Sequence, residues 1–137
     1  MTVSQSIDEP RDLTIFTVKG ELTFAGQMDA INAFYSGVPT ANVLWDFRLM
    51  EGNRVSSEEL AELFAFIEDN QWKRPKGKTA LVAASDLDYG LSRVSETFAL
   101  IKNLPWEIRA FRSFYMALDW IDGNIVWDEE TGAFKQV

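Results

Sequence analysis

The chain has 137 residues, 47% of them hydrophobic, and a net charge of −8 from 13 basic against 21 acidic side chains. Such values describe one well-filled globular domain, and the acidic balance excludes nucleic acid and anionic membrane surfaces as main partners. Histidine and cysteine are absent, so Ser-His-Asp triads, Cys-His dyads, nitrogen or sulfur metal sites and disulfides are all excluded, and the expectation turns to a binding module that is not an enzyme and carries no cofactor.

In chain order, Val3–Ile7 and Leu13–Leu22 read as an antiparallel hairpin around the turn Asp8-Glu9-Pro10-Arg11. Phe16 and Val18 lie on one face of its second strand, Leu13 and Ile15 on the other. Thr23 can cap a helix from Phe24 to about Ser36, with Phe24, Met28, Ile31 and Phe34 or Tyr35 as its apolar stripe and Gly37 at its end. Val43–Phe47 is nearly continuous in apolar residues, the pattern of a strand covered on both faces. Ser56 and Glu59 have capping-box spacing ahead of Leu60, Leu63, Phe64 and Ile67, the clearest helix of the chain. Thr79–Ala84 is a second buried strand, and a third helix carries Leu87, Leu91, Val94, Phe98 and Ile101 up to Pro105. Ile108–Arg112 alternates as an edge strand does. Ser113 caps a last helix through Phe114, Ala117, Leu118 and Ile121 that ends at Gly123; Ile125–Trp127 and Ala133-Phe134 then fit a small hairpin.

Met1–Ser6 has neither a basic nor an apolar signal-peptide region, and no apolar run is long enough to span a bilayer, so a cytoplasmic location is expected.

Six segments together resemble a known family: Lys19–Thr23 after the hairpin, Val43–Arg48, Ala80–Ala83 leading to Asp88–Arg93, and Ile108–Arg112 leading to Ala117–Ile121. In that order they are similar to the SpoIIAA-like family of STAS-type domains, relatives of bacterial anti-sigma-factor antagonists. The resemblance covers about residues 2–122, so the domain is read as 1–122 with 123–137 as an extension of the same domain. It implies an α/β fold with a mixed sheet, an N-terminal antiparallel hairpin, about five strands and four helices mainly on one face. It also implies a regulatory module that works by binding a protein partner. In STAS antagonists a serine at the start of the second helix is phosphorylated; the matching residues here are Ser56 and Ser57. Glu58 stands where that motif usually has glycine, and Val55 where an aspartate precedes the serine, which counts against the phosphoswitch.

Several residues are candidates for a site. Ser56 and Ser57 can accept a phosphate at a helix N-terminus, with Arg93 as a nearby cation, although an ordinary capping box also explains Ser56. Asp46, Asp86 and Asp88 end two buried strands and can converge where α/β sheets bind ligands, even around Mg²⁺; loop solvation and helix N-terminal charge explain Asp86 and Asp88 more simply. Lys73, Arg74, Lys76 and Lys78 form a basic stretch whose Gly77-Lys78-Thr79 echoes a P-loop, but it runs from helix into strand, the wrong order, and cations after a helix C-terminus complement its dipole. Tyr115, Trp120 and Trp127 fall outside the expected core stripe. Either they pair two copies in a two-fold homodimer centred on Trp120, or the tail folds back over them. The alternative to the interaction module is a carrier of a small apolar ligand, a lipid or fatty acid, in a pocket beneath the third or last helix.

Overall fold

The computed structural model describes the backbone of residues 2–137 and the side chains of residues 3–97 and 102–137. Strands β1 (Thr2–Asp8) and β2 (Leu13–Leu22) form the antiparallel hairpin, and β3 (Asn42–Asn53), β4 (Lys78–Val82) and β5 (Glu107–Phe111) continue the sheet in parallel, in the spatial order β1-β2-β3-β4-β5. Helices α1 (Phe24–Ser36), α2 (Ser57–Asn70) and α3 (Asp86–Lys102) make the three crossovers. A fourth helix, α4 (Phe114–Ile121), leads into a separate hairpin of β6 (Ile125–Asp128) and β7 (Ala133–Gln136).

Three helix starts form where a local signal places them. Thr23 Oγ1 accepts the Gly26 N–H (3.1 Å), Ser56 Oγ the Glu59 N–H (3.1 Å), and Ser113 Oγ the Met116 N–H (3.2 Å), each filling one of the bonds that a first helical turn lacks. Strand β3 is longer than its apolar run suggests. Beyond Phe47 it stays paired with β2 through two register shifts as far as Leu22 opposite Asn53, and Gly20, at φ +76°, takes the left-handed backbone beside the second shift.

Alternation along the strands builds two apolar layers. In front, Phe16, Val18, Val43, Trp45, Phe47 and Leu81 meet Ile31, Phe34 and Tyr35 of α1 and Leu63 of α2. Phe16 stacks on Trp45 with ring centroids 4.4 Å apart. Behind, Leu13, Leu44, Ala80, Val82 and Phe111 meet Ala117, Trp120 and Ile121 of α4 and Ile125 of β6. Phe134 of β7 completes this layer by stacking on Phe111 at 4.8 Å.

Two expectations change here. Trp120 is 2% exposed, packed on Phe111 and Ile121, so it belongs to the rear core and cannot be the centre of a two-fold interface. On the third helix, Leu87, Leu91 and Val94 are exposed instead of buried, while the side chains of Phe98 and Ile101 lie outside the described residues. The reason is position. α3 packs mainly on the edge strand β5, where Glu96 Oε1 accepts the Ala110 N–H (3.1 Å), and the apolar residues of its first half stay exposed.

Leu63, 1% exposed, joins α2 to the front layer. Its replacement by Ala should lower stability by about 2–5 kcal/mol in urea unfolding, the range for an emptied core site. Trp120→Ala should cost about 3–5 kcal/mol by the same measurement, and sedimentation of its folded fraction should match the parent.

Candidate functional site

The crevices outside the C-terminal ends of parallel strands are where α/β sheets place ligands, on loops held by the rigid sheet. In this chain that edge holds a groove of about 180 Å³ between the end of β3, the first turn of α2 and the front of α3. Met50, Ser56, Ser57, Leu60, Leu91 and Val94 are among its walls. Ser56 is not free within it: besides its Oγ bond, its own N–H donates to Glu59 Oε1 (2.9 Å), closing the capping box. Ser57, the first helical residue, is exposed and has no such bond. Leu87, Leu91 and Val94, at 73%, 41% and 45% exposure, give α3 an apolar face toward solvent on the same side.

The other sequence candidates scatter. Arg93 does not reach the serines; it pairs with Glu96 (3.0 Å) and lines a different depression, near Asn103 and Trp106. Asp88, an acid, lines the groove in its place. The three aspartates do not converge. Asp46 is buried and held by Arg48 through Nε and Nη2, both at 2.9 Å, and that bond raises the Arg48 pKa; Asp86 pairs with Arg112 at the surface (2.5 Å). Among the described residues no group of three or more acidic side chains is placed to hold a metal ion. Tyr115 is exposed, whereas Trp127 is half-buried beneath the Arg109 guanidinium (4.8 Å) and against Phe134.

The basic stretch before β4 divides in a way its composition does not show. Lys78 turns to the rear, where its Nζ donates to the Trp120 carbonyl (2.6 Å) at the end of α4, a cation on a helix C-terminus but not that of the preceding helix. Arg74 turns to the front and is 7% exposed. Its Nε donates to the Ala41 carbonyl (3.0 Å) and its Nη2 to that of Lys78 (2.9 Å), with the guanidinium over the Trp106 ring at 4.2 Å and the Tyr35 phenol beside it. Burial lowers the Arg74 pKa to about 10 and raises that of Tyr35.

Arg74 lines a cavity of about 90 Å³ inside the front layer. Among the described residues its walls come from the sheet, α1 and α2, with Ser95 from α3. A pocket beneath the third or last helix was expected; this one lies mainly beneath the first two, on the sheet face opposite α4. Sequence reading missed both Arg74 and Thr79 as cavity residues, since nothing local distinguishes an arginine that enters the core from its solvated neighbours Lys73 and Lys76.

Removing the hydroxyl of Ser56 opens the capping box, so Ser56→Ala should cost about 0.5–2 kcal/mol of stability. Ser57→Ala should change unfolding by less than about 0.5 kcal/mol.

No protein-family model and no curated protein matches the chain. Among solved structures it is similar to the anti-sigma factor antagonist SpoIIAA in its unphosphorylated form, with a TM-score of 0.57 and 13% sequence identity, over 89% of this chain and 97% of that one. The antiparallel hairpin, the parallel continuation of the sheet and the four helices are thus those of a SpoIIAA-like, STAS-type α/β fold.

Proposed function

We propose that this chain is a regulatory protein-interaction module without enzymatic activity, and that its partner docks on the groove between α2 and α3. The observation that carries the reading is the apolar face of α3. Leu87, Leu91 and Val94 recur at i, i+4 and i+7 and are exposed, beside a groove whose walls mix apolar side chains, Met50 and Leu60 among them, with Ser56, Ser57 and Asp88. An exposed apolar patch with a polar rim is the usual composition of a binding surface. Similarity to the SpoIIAA fold supports a role of this general kind, since that protein is named as an antagonist of another protein.

Control by phosphate at Ser56 does not form part of the reading. Its Oγ is engaged in the cap, Glu58 and Asp88 place carboxylates nearby, and Arg93 is turned away. A phosphate there would meet like charge at close range instead of the cationic cradle that makes such sites favourable. The absence of histidine and cysteine and the scatter of Asp46, Asp86 and Asp88 support the non-enzymatic part.

The test is affinity capture from the native host with the parent and with Leu91→Asp/Val94→Asp, whose circular dichroism should match the parent's because both sites are exposed. A protein retained by the parent and lost at least tenfold from the double variant is the expected outcome. Equal retention by both, or no retained protein, overturns the docking surface.

A further inference from the structure

Arg74 is a cation in the core to which no carboxylate comes within ion-pair reach among the described residues; its polar partners are two backbone carbonyls and the Tyr35 phenol. Buried charge of this kind is costly unless a counter-charge accompanies it. A second anomaly sits on the same cavity wall. Thr79 is 6% exposed, and its Oγ1 has no hydrogen-bond partner. Buried hydroxyls without partners are rare and indicate that something polar is missing. Thr79 stands between Val43 and Ile108 in one row across the sheet, and both line the cavity with it. The polar end of the cavity is therefore defined by one guanidinium, one unsatisfied hydroxyl and the Tyr35 phenol, and the remaining walls are chiefly aliphatic and aromatic.

The lining runs along β3 from Val43 to Phe47, a span of about 13 Å at the usual strand rise, so the space is long and narrow. Its volume, about 90 Å³, is several times what a single water needs. At the Phe47 end it shares Gln27, Phe47, Leu60 and Ser95 with the surface groove, which gives an entry.

We propose that this cavity is a binding site for a small monocarboxylate with a slender apolar body, its carboxylate held by Arg74 and Thr79 and its chain directed toward Phe47. Guanidinium and carboxylate are both planar, and their charge-assisted bonds are the strong ones. One cation and one hydroxyl suit a monoanion; a phosphate dianion would need further donors, and no helix N-terminus points into this end. The apolar walls select against a free inorganic ion. The site opens into the docking groove but rests on Arg74 and Thr79, neither of which lines that groove, so its failure would leave the docking reading intact.

The experiment titrates the purified full chain, after delipidation, with a straight-chain series from acetate to octanoate and with benzoate, following tryptophan fluorescence (Trp45 and Trp106 line the cavity) and thermal stability. Matched 1-alkanols and inorganic phosphate are run alongside. At least one carboxylate should bind below about 1 mM and raise the melting temperature, with its alcohol at least tenfold weaker and phosphate inert. Arg74→Met should lose the preference for carboxylate over alcohol. Thr79→Val, which keeps the shape of the side chain and removes the unpaired hydroxyl, should fold as well as the parent and weaken carboxylate binding at least threefold. The proposal is overturned if no carboxylate in the series binds, if alcohols or phosphate bind as well as carboxylates, or if Thr79→Val binds as the parent does. The last arm decides the matter even if Arg74→Met does not fold.

Discussion

Strands β3 and β4 are parallel and covered on both faces, and most of the structure answers that one requirement. Leu44 and Val82 are fully buried on the rear while Trp45 and Leu81 are buried in front, so neither face can be left to water. The three crossover helices supply the front. Only α4 remains for the rear, and its eight residues extend about 12 Å, too short to cover the strands by itself. The β6–β7 hairpin provides the rest through Ile125 and Phe134. It is tied in at its base, where the Val137 N–H donates to the Asn124 carbonyl (3.1 Å), and the end of α4 is fixed to the β1–β2 turn by Arg11 on Asp122 (2.9 Å). Ile125 and Phe134 of the last fifteen residues thus belong to the rear layer.

Elements were legible in the sequence where their signals are local. The serine and threonine caps, the period of α2 and the apolar runs of β3 and β4 each state a backbone preference within a few residues, and each element formed where its signal lies. Which layer an element faces was not legible, because that depends on chain segments far away. Phe114–Ile121 is apolar around most of its circumference, so no stripe in it separates Trp120, which is buried, from Tyr115, which is exposed. α3 shows the converse. Its stripe is plain in the sequence, but the helix packs mainly on the edge strand β5, and Leu87, Leu91 and Val94 are left exposed.

The candidate site was legible in the same uneven way. Ser56 and Ser57 were placed at the start of α2, and the capping box that occupies Ser56 could be read from Glu59. The partner cation could not. On a helix, residues three apart share a face, and Arg93 is fixed to Glu96 on the flank of α3 that leads away from α2. A cation at Ser92 or Ser95 would have faced the groove, since those positions line it. The missing charge is thus a matter of helical phase, not of distance along the chain.

The basic stretch before β4 shows the same limit in sharper form. Counting charges there predicts one solvated patch, yet the chain at this point is entering a central strand between two layers. Gly77 marks how closely: a Cβ at that position would stand 2.1 Å from the Ala41 carbonyl oxygen, so the loop presses against the β3 entry. In such a passage long side chains go forward or back. Lys78 finds a helix-terminal carbonyl behind the sheet, which complements its charge. Arg74 finds carbonyls, an indole and a phenol in front, none of which carries a full negative charge. The fold accommodates the two cations unequally, and the one it leaves without a counter-charge is the one that lines a cavity.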